Sequence, residues 1–157
     1  MSKIKIGGVM QRRGLVKMGM MSIPDRPATA GKIMNALGAQ GVNVQFIVQC
    51  IDTQGNDHVV FCVDRERADS AHNILENLRR EMGVGEVIQR SDVALISVFG
   101  PDFRDRPGIA GTMFSALGER GINILAISTS ISTLSCVIDA DCLEGAIEAV
   151  QETFELP

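Results

Sequence analysis

Two short segments of this 157-residue chain carry residue types suited to holding a small zwitterion. They are Asp25-Arg26-Pro27-Ala28-Thr29-Ala30-Gly31 and Asp105-Arg106-Pro107-Gly108-Ile109-Ala110-Gly111, and each places a carboxylate just ahead of a proline. Proline is accepted in the first turn of a helix, where its missing N–H has no partner to lose. Each segment therefore reads as a helix start. A helix N-terminus offers free N–H groups and a partial positive charge, which suit a ligand carboxylate. The Asp25 and Asp105 carboxylates, one turn away, suit an ammonium group. Together these groups could hold both ends of an α-amino acid. The plainer alternative is that Asp25 and Asp105 merely cap their own helices.

The two segments belong to a longer repeat. At an offset of about eighty residues, Ala36-Leu37-Gly38 matches Ala116-Leu117-Gly118, Gly41 matches Gly121, Asn43 matches Asn123 and Ile47 matches Ile127. Residues 25–50 and 105–130 agree at eleven of twenty-six positions. Self-similarity of this kind indicates two copies of one small domain. Units near 75 residues bury a modest share of their surface, so the copies are expected to lean on each other or on a partner chain.

The elements that must position these loops follow from pattern. Residues 15–23 read as a strand ended by Pro24. A helix opens at Pro27, with Ile33, Met34 and Leu37 at helical spacing and Gly38 and Gly41 closing it. Strands are expected at 42–51 and 58–63, joined by the turn residues Gln54-Gly55-Asn56-Asp57. A helix at 70–82 and a strand at 86–90 complete a β-α-β-β-α-β unit. The second copy reads as strand 93–99, helix 107–118, strands 122–128 and 133–139, and helix 142–153, with no fourth strand. The N-terminal stretch 4–10 is a strand in excess. The economical arrangement has residues 3–10 supply the missing strand, so that the first copy (14–92) is inserted into the second (93–157 plus 1–12). The expected fold class is α+β: two interleaved ferredoxin-like units, each an antiparallel sheet with two helices on one face.

Composition narrows the function. Apolar residues make up 45% and charged residues 22%, as in ordinary globular proteins. The net charge of −4, the absence of a basic block, and the lack of Trp and Tyr argue against nucleic acid. No apolar run approaches the roughly 18 residues of a membrane span, and the alternating N-terminus is no signal peptide, so the chain is expected to be cytoplasmic. Cys50, Cys62, Cys136 and Cys142 lack C-x-x-C spacing and read as free thiols. A zinc site from Cys50, His58 and Cys62 is a sharper alternative without an evident fourth ligand. Gly7-Gly8 is no phosphate loop, no catalytic set is visible, and no cofactor or metal is expected. Asn43 and Asn123, with Gln49 and the Ser128-Thr129-Ser130 run at the far ends of the same strands, are further polar candidates.

The chain resembles a pair of ACT domains, and more closely the regulatory region of aspartokinase. The residues that carry the likeness are Ile23-Pro24-Asp25-Arg26-Pro27, Gly41-Val42-Asn43-Val44 with Ile47-Val48-Gln49, Gly121-Ile122-Asn123-Ile124 leading into Ile127-Ser128-Thr129-Ser130, and Phe154-Glu155-Leu156. The resemblance implies amino-acid sensing. ACT pairs of this family associate with those of another chain, and threonine or lysine bound at the interface inhibits the kinase. One implied site takes the loop of Asp25, Pro27, Ala28, Thr29 and Ala30, with Gln49, from one chain, and Asn123 and Ile124 from the other. The second takes the loop near Asp105 and Gly108 with Thr129 and Ser130. Implied partners are the amino-acid effector, a second copy of the chain, and a kinase catalytic subunit. The chain departs from the family where Ala28 and Thr29 replace glycine and an apolar or acidic residue. The alternatives are an ACT module that assembles chains without ligand, and a regulatory ACT protein of another amino-acid pathway.

Overall fold

A computed structural model describes residues 2–157. Its elements in chain order are β1 (Ile4–Lys5), β2 (Gly8–Pro24), α1 (Thr29–Ala39), β3 (Val44–Ile51), β4 (Asn56–Asp64), α2 (Ala68–Met82), β5 (Glu86–Phe99), α3 (Ile109–Glu119), β6 (Ala126–Thr129), β7 (Thr133–Asp139), α4 (Leu143–Thr153) and β8 (Phe154–Glu155). Short 3₁₀ turns at Arg65–Arg67, Pro101–Arg104 and Ala140–Cys142 lead out of strands. The class is α+β, with four helices and antiparallel strand pairs. No helix among the described residues is long and apolar enough to cross a membrane.

The chain divides into two compact units, Leu15–Ser91 and residues up to Gly14 together with Asp92–Pro157. In the first, strands lie in the order β3-β4-β2-β5. Residues of β2 and β4 alternate between faces, as a strand's period of two requires. Val16, Met18, Met20 and Ile23 of β2 join Val59, Phe61 and Val63 of β4 on one face. Ile33 and Leu37 of α1 and Ala71, Leu75 and Leu78 of α2 cover it. Helical spacing puts each of these helix sets on one stripe. Burying Phe61 completely contributes about 1.5–3 kcal/mol.

The second unit repeats the plan in the order β6-β7-β5-β2. Ala94, Ile96 and Val98 of β5 and Leu134, Cys136 and Ile138 of β7 meet Ile109, Met113 and Leu117 of α3 and Leu143, Ala146 and Val150 of α4. β1 pairs in parallel with β8, Ile4 with Phe154 and Lys5 with Glu155, and this seals Phe154 beneath it at 1% exposure.

Four expectations on the elements need correction. The strand read at 122–128 is confined to Ala126–Thr129. Residues 4–10 are not one strand: they break at Ile6-Gly7, where Ile6 N–H donates to Glu155 O and Gly7 N–H to Phe99 O. A Cβ at Gly8 would stand 2.7 Å from the Phe99 ring, so only glycine permits this approach. Residues 8–10 run together with the strand read at 15–23 as the 17-residue β2, and the strands read at 86–90 and 93–99 run together as the 14-residue β5. Gly14 (φ 69°) and Asp92 (φ 55°) absorb the irregularity without ending the strand. Both loop helices also start two residues late, at Thr29 and Ile109. Pro27 and Pro107 sit in the turn ahead of them.

Candidate functional site

Each repeated loop is fixed at both ends. In the first unit Ile23 is fully buried and Pro24 pairs with Asn56, while Ile33 and Leu37 hold the helix beyond. Between these anchors the chain turns through Ala28, at φ 71° and ψ 1°, in the left-handed region. Lys32 N–H donates to Ala28 O at 2.9 Å, which opens α1. The second loop does the same with Gly108 at φ 91° and ψ −3°, and Thr112 N–H and Oγ1–H both donate to Gly108 O.

This geometry bears on the capping reading of the aspartates. The capping residues are Ala28 and Gly108, and neither helix has a side-chain cap. Asp25 and Asp105 are exposed, so the capping reading fails. The first-turn N–H groups of Ala30, Gly31, Ala110 and Gly111 have no carbonyl one turn back inside their helices.

In the first unit a cleft of about 460 Å³ is lined by Pro24, Arg26, Pro27, Ala28, Thr29, Lys32, Glu81, Met82 and Val84. Lys32 Nζ lies 3.3 Å from Glu81 Oε2 across it. In the second unit a cleft of about 240 Å³ is lined by Phe103, Arg106, Gly108, Ile109, Ala110, Thr129, Ser130, Thr133 and Leu134. The second cleft thus gathers Gly108, Thr129 and Ser130 as expected, and the first gathers Pro27, Ala28 and Thr29. Asp25, Ala30 and Asp105 are absent from these linings. The repeat's arginine takes that place, with Arg26 lining one cleft and Arg106 the other. Sequence reasoning chose the aspartate of D-R-P and passed over the arginine beside it, although it is equally repeated. A guanidinium beside free helix N–H groups suits a carboxylate, which it can bind through two N–H donors.

Gln49 stands on β3 at a separate, smaller cleft with Met21, Val48, Cys50, His58 and Val60. Its Nε2 donates to Asp57 Oδ2 at 2.7 Å. Asn123 is exposed and Ile124 half-buried, in the segment between Ile122 and β6 of the second unit. Asn43 is exposed just before β3.

His58 uses both ring nitrogens: Nδ1 accepts from Ser22 N–H at 3.1 Å and Nε2 meets Asp52 Oδ2 at 2.9 Å. That imidazole, with the Asn56 and Gln54 backbone N–H groups, holds the Asp52 carboxyl down at about 2. His58 faces Cys50 across the β3–β4 ladder. The zinc reading finds no group of three or more His, Cys, Asp or Glu among the described residues. All four cysteines are free thiols, and burial pushes Cys62 and Cys136 up to about 12.

Residues 96–154 match the ACT domain family. The aspartate kinase of Pseudomonas putida is 35% identical over 151 residues, which are 96% of this chain and 37% of that protein. The chain therefore spans well under half the length of the curated relatives it matches. Over the whole chain it is similar to the regulatory subunit of aspartate kinase from Thermus thermophilus in its ligand-free form, at 33% identity and a TM-score of 0.86, with 96% of this chain and 99% of that one covered. A crystal structure of aspartokinase α and β subunits matches at 26% identity and a TM-score of 0.85, covering 94% of this chain and 97% of the matched one. A fold of ACT type, the paired D-R-P loops and this end-to-end likeness agree: the chain belongs to the aspartate kinase family, as its ACT-domain regulatory region or β subunit.

Proposed function

We propose that this chain binds a small amino acid, threonine or lysine, at its D-R-P loops and so mediates feedback inhibition of an aspartate kinase. The observation that carries the reading is the repeated placement of the D-R-P arginine at a cleft beside the start of a helix, in both units. An α-carboxylate fits that environment. Asp25 and Asp105, released from any capping duty, are left to attract the ammonium. In this reading each unit is one ACT domain, with 14–92 inserted into 93–157 plus 1–12; the strand order within each unit supports it.

The ligand sites are completed between two copies of the chain. Asn123 and Ile124 of one copy meet Gln49 and the loop of Asp25, Pro27, Ala28, Thr29 and Ala30 in the other. The second site uses Asp105 and Gly108 with Thr129 and Ser130. A ligand that bridges two chains favours the arrangement in which it makes both sets of contacts. It shifts the kinase, in a chain associated with this one, only by that difference in affinity. The protein works in the cytoplasm, with no cofactor of its own.

Calorimetric titration with threonine, lysine, methionine, isoleucine and valine tests the proposal. Saturable binding of threonine or lysine is the expected result. Arg26→Gln and Arg106→Gln should each weaken binding at their own loop by about tenfold or more, the worth of a hydrogen bond to a charged group. Asp25→Ala should weaken binding at the first loop and leave folding intact. Binding of a branched-chain residue or methionine alone would move the sensor to another pathway. No binding at millimolar ligand would leave assembly as the function.

A further inference from the structure

We infer that Asp57 is a positioning residue of the first-unit site, which fixes Gln49 as an acceptor and so demands a hydrogen-bond donor from the ligand. The inference rests on the amino-acid-binding reading above and extends it to a residue outside the repeated motif. Asp57 lies in β4, directly opposite Ile23 and Ile51. Its neighbour Asn56 pairs with Pro24, the residue at which the loop leaves the sheet and which lines the cleft. Asp57 is only 1% exposed. Its Oδ2 accepts from Gln49 Nε2 at 2.7 Å, while Oδ1 is buried with no hydrogen-bond partner.

Buried charges are expected to be paired and fully hydrogen-bonded, and a buried polar atom left without a partner lowers stability. Packing alone would not select a carboxylate here, because an apolar side chain would fill the same space at lower cost. What the carboxylate does do is orient its neighbour. A carboxylate only accepts, so the amide of Gln49 must turn its NH₂ toward Asp57. Its Oε1 is thereby directed away from Asp57, on a residue that is itself exposed. With Asp57 in place Gln49 offers the ligand an acceptor, and the charge behind it adds attraction for an ammonium or a hydroxyl hydrogen.

The second unit lacks this device. Thr129 pairs with Leu134 as Gln49 pairs with Val59. The residue two places before Leu134 is Ser132, exposed and uncharged, where the first unit has Asp57 two places before Val59. The two loops are therefore unequal: the first selects for a donor group through a buried acid and the second does not.

Asp57→Val separates this role from a structural one, since valine suits a buried strand position and removes the unpartnered oxygen. The probes are L-threonine and L-valine, near-isosteres that differ in one hydroxyl. Asp57→Val should match or exceed the wild-type chain in urea resistance and bind threonine about tenfold or more weakly. A loss confined to threonine identifies the hydroxyl as the donor that Gln49 receives. An equal loss for both probes identifies the α-ammonium. The double variant Asp57→Asn with Gln49→Glu exchanges donor and acceptor and again turns an acceptor outward, so it should restore most of the lost affinity. It also serves if the single variant fails to fold. Unchanged binding by a folded Asp57→Val chain, or a folded double variant that recovers no affinity, would overturn the inference alone. A wild-type chain that binds neither probe, nor lysine, would overturn the underlying reading with it.

Discussion

Ala28 and Gly108 occupy the same left-handed position ahead of α1 and α3, so exchanging their side chains should have opposite effects. In the left-handed region a Cβ crowds the following carbonyl at about 1–2 kcal/mol for an L-residue. Glycine avoids that cost but loses roughly 0.5–1 kcal/mol more backbone entropy on folding. The difference leaves Ala28→Gly stabilising by about 0.5–1 kcal/mol and Gly108→Ala destabilising by a similar amount. No other contribution intervenes at Gly108, where an added Cβ meets no atom within 4 Å. At this chain length about 0.5–1 kcal/mol moves the thermal midpoint by roughly 1–4 °C. Urea unfolding followed by far-UV circular dichroism is the suitable assay, because the chain has no Trp and no Tyr. The urea midpoint should rise for the first variant and fall for the second at constant slope. Two shifts of the same sign, or a neutral Gly108→Ala, would refute the left-handed loop geometry from which both clefts are built. Ala28→Gly should also let a ligand carboxylate approach the first loop's backbone more closely, since it removes the Ala28 methyl.

Two other outcomes follow from the charges and thiols. Asp52 is held below the usual carboxylate range by His58. A depressed carboxyl stabilises the fold fully above its unfolded value near pH 4, and that contribution disappears as pH falls toward about 2. Asp52→Asn should therefore flatten the loss of urea resistance between about pH 4 and pH 2, and a steeper acid limb in the variant would contradict the pairing. Among the thiols, exposed Cys50 should react promptly with an aromatic disulfide at pH 8. Cys62 and Cys136, pushed up to about 12 by burial, should react only on unfolding. Fast modification of three or four thiols in the native chain would show that the two cores are open.

Much of the fold was legible because its signals are local. The spacing of Ile33 and Leu37, or of Ala71, Leu75 and Leu78, states a helix and its buried face at once. Gly55 in its turn and the β-branched runs on either side state the β3–β4 hairpin. Strand limits were less legible. Whether Gly14 and Asp92 end a strand or merely bend it depends on hydrogen-bond partners supplied by distant segments, and no local pattern records them. The parallel contact of Ile4–Lys5 with Phe154–Glu155 escaped notice for the same reason, since it joins opposite ends of the chain.

The candidate site divides along the same line. Sequence by itself determined that there are two like loops, that each precedes a helix, and that Pro27 and Pro107 stand in them, because identity and spacing survive without coordinates. It left Asp25 and Asp105 undecided between capping and binding. Only the tertiary structure removed the capping reading, by placing Ala28 and Gly108 at the caps, and it lined the clefts with Arg26 and Arg106 instead. It also decided the meaning of Asp57, which in sequence is one polar residue in a turn. Strand pairing brings it opposite Ile23, buries it, and leaves Gln49 as its hydrogen-bond partner. Burial and pairing are properties of what surrounds a residue in space, and for Asp57 those surroundings come from β2, distant along the chain, as well as from its hairpin partner β3.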